Sequence, residues 1–141
     1  MNEIKRALIS LSDKKDLKPL LKTLKKYKIK ITSSGGTYKK IKSLGFDCDE
    51  VSDYPNFPEI LEGRVKTLHP KIHAGILYKR KNKKHLKNIK DNKVKTIDLV
   101  IVNFYPFEDT IKSNSNHEKI VENIDIGGPA MVRAAAKNYK D

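Results

Sequence analysis

At 141 residues, 38% of them hydrophobic, the chain has the length and apolar content of one domain with one modest core. No run reaches the ~18 apolar residues of a membrane span, no leader with a cleavage site opens the chain, and the lone Cys48 allows neither an internal disulfide nor a zinc spacing, so a cytoplasmic domain without a membrane partner is expected. The net charge of +13 fits a polyanion binder, but only four of the 30 basic residues are arginines, the side chain best suited to phosphates and bases, and no nucleic-acid partner is expected.

Ala7-Leu8-Ile9-Ser10-Leu11 reads as a buried strand ending in a loop at Ser12-Asp13-Lys14. Leu17, Leu20, Leu21, Leu24 and Tyr27 recur at helical spacing and predict an amphipathic helix over residues 16–28, with Lys18, Lys22, Lys25 and Lys26 on its solvated face. Lys28 to Thr32 alternates as a second strand and breaks into Ser33-Ser34-Gly35-Gly36-Thr37. Tyr38, Ile41 and Leu44 mark a short helix closed by Gly45, and Phe46 to Val51 reads as a weak third strand.

From Ser52 to about Leu77 periodicity fails. Pro55, Pro58, Gly63, Pro70 and Gly75 punctuate this stretch, while Arg64, Lys66, Thr67, His69 and His73 crowd into it. A long irregular segment in a compact domain is usually functional. Residues 81–93 predict a polar, exposed helix beside the basic cluster Lys79-Arg80-Lys81-Asn82-Lys83-Lys84. Thr96 to Val102 is a near-continuous apolar run, as in a strand covered on both faces, and leads to Asn103-Phe104-Tyr105-Pro106-Phe107. A helix around His117–Glu122 precedes Asp125-Ile126-Gly127-Gly128, and Pro129 sits near the first turn of a last helix over Ala130–Asn138.

Strands alternating with helices predict an α/β fold with a doubly wound parallel sheet. Ligands of such sheets sit beyond the carboxyl ends of the strands, so the loops at Ser12–Lys14, Ser33–Thr37 and Asn103–Phe107 should converge on one mouth.

Ser34-Gly35-Gly36-Thr37 opens a helix after a strand. Its glycines let the backbone approach a ligand, the helix end offers unpaired N–H groups to a phosphate, and Lys14 is near. The plainer alternative is a tight turn with Thr37 as a cap. Arg64-Val65-Lys66-Thr67 places a bidentate anion partner, an ammonium and a hydroxyl together, or else three loop side chains facing water. His69 and His73 lack a third ligand, and no metal is expected. Asp125 stands beside the backbone nest of Gly127-Gly128, and capping the helix is its simpler use. Lys137 follows three alanines that let a ligand approach, or it snorkels to solvent. Tyr105 sits in a turn able to aim its hydroxyl, or it packs half-buried on the sheet.

Taken in order, six blocks resemble a known family: Ser10–Lys14, Ser34–Thr37, Leu61–Pro70, Ile72–Leu77, Asn103–Phe107 and Asp125–Asn138. They are similar to the N-terminal IMP cyclohydrolase domain of the bifunctional purine biosynthesis protein, whose other half is an AICAR transformylase. The resemblance runs from about Ala7 to the end of the chain. The Arg64–Pro70 and Asp125–Asn138 blocks are specific. The Ser34–Thr37 loop is shared with methylglyoxal synthase and the allosteric domain of carbamoyl-phosphate synthetase.

The resemblance implies a methylglyoxal synthase-like three-layer fold over residues 1–141, truncated at its carboxyl end and without the transformylase domain. It also implies cyclisation of 5-formamidoimidazole-4-carboxamide ribotide to inosine monophosphate (IMP), with no metal or other cofactor. Nucleotide-binding positions then fall on Ser12, Asp13, Lys14, Ser34, Gly35, Gly36, Thr37, Arg64, Val65, Lys66, Thr67, Asn103, Phe104, Asp125 and Ile126, while Lys66 and the amides of Gly127 and Gly128, also counted as substrate-binding, are assigned to the developing oxyanion. Lys137 matches the proton donor and acceptor, and Lys66, Tyr105 and Asp125 match the other catalytic positions. Phe104 replaces the leucine usual between the Asn and the Tyr, a tolerable contact change. An unpaired edge strand would make the chain self-associate, as a homodimer. The alternative reading is an incomplete domain of the same fold that binds a phosphorylated ligand without turnover.

Overall fold

The computed structural model describes residues 3–51, 61, 64, 65, 67–113 and 116–141. Strands β1 (Arg6–Ser10), β2 (Lys30–Ser33), β3 (Asp49–Glu50) and β4 (Leu99–Val102) form one sheet in the order β3-β2-β1-β4, with every pair parallel. The helices among the described residues are α1 (Leu17–Lys26), α2 (Gly35–Ser43), α3 (Pro70–Leu77), α4 (Lys83–Asp91), α5 (Phe107–Lys112), α6 (His117–Glu122) and α7 (Gly127–Lys137). None is long and apolar enough to cross a membrane.

The central strand explains its own sequence. Ala7 and Ile9 face a layer built from Leu17, Leu21 and Leu24 of α1 and Ile41 of α2. Leu8, pointing the other way, packs with Ile72 and Ile76 of α3 and Met131 and Ala134 of α7. β4 divides likewise, Leu99 and Ile101 joining the first cluster and Val100 and Val102 the second. Both faces of the sheet are covered, so apolar residues run on without alternation. The result is the expected three-layer, doubly wound α/β arrangement. From β1 the chain goes to β2 on one side and later to β4 on the other. That reversal leaves a crevice beyond the carboxyl ends of β1 and β4.

Several expectations are corrected. Residues 70–77 are not irregular but helical, as α3. Pro70 occupies the first turn, where its missing N–H costs nothing, and the His69 ring nitrogen Nδ1 accepts from Lys71 N at 3.1 Å as the cap. Gly75 marks the place where α3 meets the approach to β4. Ile97 N donates to Gly75 O at 2.9 Å, and a Cβ on Gly75 would stand 2.5 Å from the Lys95 carbonyl oxygen. A glycine read as a breaker is therefore a close-approach residue inside a helix.

The α5 helix was not anticipated. Glu108 and Asp109 in its first turn suit the positive end of a helix. The last helix begins at Gly127 instead of Ala130, with both glycines inside its first turn. The third strand shrinks from 46–51 to Asp49–Glu50, and the second shifts to Lys30–Ser33. Lys28 lies at φ 56 and closes α1 in a left-handed turn, with Ile29 N bonded to Leu24 O at 2.9 Å.

Candidate functional site

The crevice widens into a cavity of about 640 Å³ at the carboxyl ends of the strands. The loop after β1 supplies Ser12 and Lys14, the turn after β2 supplies Ser34, Gly35, Gly36 and Thr37, and the loop after β4 supplies Asn103 and Tyr105. The far wall consists of Arg64, Thr67, Asp125, Ile126, Gly127 and Gly128. Residues separated by more than a hundred positions thus meet in one place, as the topology requires.

Side chains that look available for a ligand partly hold the walls together. Asn103 Oδ1 accepts from Ser12 N at 2.6 Å, and its Nδ2 donates to Asp13 O at 2.8 Å. The Thr37 hydroxyl, in a residue only 4% exposed, donates to Leu11 O at 2.9 Å and accepts from Leu11 N at 3.0 Å. It fastens α2 to the end of β1 and is not a free ligand donor. Lys14 Nζ donates to Ser12 O at 3.0 Å, which folds this ammonium back along the cavity wall.

Two helix N-termini open into the cavity. α2 starts at Gly35, whose φ of +54 suits glycine, and Ser34 makes no side-chain cap bond. The amides of Gly35, Gly36 and Thr37 therefore form its unpaired first turn. At α7 the arrangement differs. Asp125 Oδ1 accepts from Gly128 N at 2.9 Å, so the capping use of Asp125 is the one observed and the Gly128 amide is engaged. Gly127 N remains at the head of α7. A Cβ on Gly127 would collide with Thr67 Oγ1, and one on Gly128 would lie 2.7 Å from Asp125 Oδ2. Both glycines are needed for this packing. Among the described residues the Thr67 hydroxyl and Asp125 Oδ2 take no hydrogen bond.

Other expected residues lie elsewhere. Asp13 is turned to the backbone, its Oδ1 accepting from Lys15 N at 2.9 Å. Val65 and Phe104 do not line the cavity, although Phe104 packs beside Gly128. Lys66 lies outside the described residues. Lys137 is in the last turn of α7, exposed and off the cavity wall. Ten residues of helix put it about 15 Å along the axis from Gly127. Tyr105 and Asp125 are thus together, and Lys137 is not with them.

The cavity also has residues that the sequence did not name as site residues: Ser10 and Leu11, which belong to the Ser10–Lys14 block, and Val121, Glu122 and Ile124. Glu122 forms an ion pair with Arg64 on the cavity wall. No spacing announces it, because the partners are 58 positions apart and meet only through the fold. Cys48 is not a candidate nucleophile: burial and then the Asp49 charge push its thiol up to about 12.

Comparisons agree with this architecture. A family profile described as "MGS-like domain" matches residues 16–130. The chain is 53% identical over 137 residues to the bifunctional purine biosynthesis protein PurH of Clostridioides difficile (strain 630). It is 55% identical over 139 residues to the protein of that name from Ruminiclostridium cellulolyticum. These matches cover 97% and 98% of this chain, which spans 27% of the length of each relative. Among solved structures, the crystal structure of ForH superposes with a TM-score of 0.78 at 30% identity, over 97% of this chain and 70% of that one. The fold, the cavity at its strand ends and these matches lead to one conclusion: the chain belongs to the family of MGS-like domains.

Proposed function

We propose that the chain is an IMP cyclohydrolase domain, which closes 5-formamidoimidazole-4-carboxamide ribotide to IMP and water. One observation carries the reading: two helix N-termini, at Gly35 and Gly127, face a single cavity that also holds Lys14, Tyr105 and Asp125. The substrate comes from the resemblance of the sequence blocks, and the likeness to a bifunctional purine biosynthesis protein supports it.

In this reading the phosphate sits on the amides of Gly35, Gly36 and Thr37, with Ser12, Ser34, Lys14 and Arg64 around it. The heterocycle extends towards Tyr105, Asp125, Ile126 and Gly127. The carboxamide nitrogen loses a proton as it bonds to the formyl carbon, and the former carbonyl oxygen becomes a hydroxyl. That hydroxyl then leaves as water with the proton of the formamido nitrogen. Holding both arms in a reactive conformer supplies much of the acceleration. Asp125 Oδ2 faces the amide proton as its acceptor, and the Gly127 amide with the Thr67 hydroxyl donates to the developing oxyanion. The Gly128 amide, assigned to that oxyanion from sequence, drops out because it already serves Asp125. Roles for Lys66 at the oxyanion and Lys137 as proton carrier rest on the family resemblance alone.

The transformylase domain of the resembled protein is the proposed partner of this one. β4 pairs only with β1 among the described residues, so we also propose self-association through that edge. Sedimentation at high concentration checks this, and a monomer contradicts it.

Amide shifts on titration with IMP test where the nucleotide sits. Gly35, Gly36, Thr37 and Gly127 should move most. Saturable binding that leaves these four unmoved contradicts the reading.

A further inference from the structure

Arg64 and Glu122 both line the cavity, and the Arg64 guanidinium is ion-paired to the Glu122 carboxylate. Both side chains are more than half exposed, so what differs between the two ends is the backbone that carries them. The Arg64 amide donates to Leu61 O at 3.0 Å, and its side chain is 64% exposed, so packing does not fix it. Glu122 ends α6, which is capped at its start by Asn116 and closed at its end by Asn123 N on Ile120 O at 3.1 Å. Glu122 thus starts from capped helical backbone, with its own side chain 57% exposed. A guanidinium has five donors in one plane, and a carboxylate on one amino group orients the plane while leaving the other donors for an anion.

We propose that Glu122 is a positioning residue that holds the Arg64 guanidinium over the cavity for the phosphate of the ligand. The nucleotide identity of that ligand rests on the function proposed above, whereas the anion site itself needs only Arg64 and Lys14, the two cations on the described wall. Two effects of Glu122 oppose each other. Its charge repels an incoming phosphate, but between exposed groups solvent and salt screen that repulsion. Against it, the rotamers of a long arginine are already restricted before the ligand arrives, and binding no longer bears that entropy loss. Preorganisation is proposed as the larger effect, and the sign of the affinity change in Glu122→Ala reads which one wins.

Calorimetric titration of the parent, Arg64→Ala, Glu122→Ala and the double variant, with IMP and with inorganic phosphate as probes, tests the proposal. Glu122→Ala should bind both probes about three- to tenfold more weakly, the loss expected for one long side chain left to be ordered on binding. The double variant should bind no more weakly than Arg64→Ala alone, since Glu122 acts only through Arg64. Glu122→Gln, which keeps an acceptor, should recover part of the loss. A purely structural role for Glu122 would instead give losses that add. Additive losses, or a Glu122→Ala chain that binds as tightly as the parent, overturn the proposal. A parent that binds phosphate but not IMP, with the same non-additive pattern, leaves Glu122 in place and removes the nucleotide reading. A parent that binds neither probe removes both.

Discussion

Asn103 and Ser12 are bonded across the crevice between the ends of β4 and β1, with Ser12 N donating to Asn103 Oδ1 at 2.6 Å. The same side chain donates to Asp13 O at 2.8 Å, so one amide group holds the whole first loop. Both bonds need the two different ends of an asparagine.

Asn103→Leu should therefore cost about 1–3 kcal/mol, as expected when part-buried backbone groups lose their partners, with IMP affinity falling alongside. Asn103→Asp keeps the acceptor for Ser12 but sets a carboxylate against the Asp13 carbonyl, and should be intermediate in stability. Urea unfolding of both variants checks this order. Parent-like stability in Asn103→Leu would contradict it.

Two glycines should respond in opposite directions. Gly75→Ala forces a Cβ to 2.5 Å from the Lys95 carbonyl oxygen, which is backbone, so α3 must move and stability should drop by about 1–3 kcal/mol. Gly36→Ala meets nothing within 4 Å and should raise stability by about 0.4–1 kcal/mol through the unfolded chain. Thermal unfolding of the two single variants reads the difference.

At the opposite end of the sheet, Asp98 ties β4 to β1 and to the turn after α3. Its side chain is 3% exposed and accepts from Lys5 N, Arg6 N and the Arg80 guanidinium. Burial pushes its carboxyl up, but the Arg80 bond, the two amides and the Arg80 charge together hold it below the usual carboxylate value. A depressed carboxyl stabilises the fold fully above the unfolded value of about 4, and this is lost as pH falls below it. Asp98→Asn should cost about 2 kcal/mol at neutral pH, and the gap to the parent should shrink below about pH 4. Unfolding measured from pH 7 to pH 3 checks the trend, and a gap that widens in acid contradicts it.

The sheet was largely legible, because Ala7–Ser10 and Leu99–Val102 are apolar runs that only a doubly covered strand requires. Placing their carboxyl ends together followed from topology, and that predicted the mouth where Ser12, Ser34 and Asn103 meet. What sequence hid is what depends on contact. Gly75 reads as a breaker until Lys95 is seen against it, and Pro70 reads as punctuation until His69 is seen capping α3. Thr37 and Asp125 look like ligand groups, yet each has a bond to the chain itself. Glu122 gave no signal at all, since its partner Arg64 is distant in sequence.

The most direct test of the whole account is the absorbance change when the purified chain meets 5-formamidoimidazole-4-carboxamide ribotide, with Asp125→Asn and Lys137→Met measured beside it. The account predicts ring closure by the parent well above the rate without protein, and strong loss in Asp125→Asn. Loss in Lys137→Met would bring that distant lysine into the reaction, and full activity would remove it. A parent chain that leaves the ribotide open contradicts the central claim, and the alternative, a domain that binds the nucleotide without turnover, then takes its place.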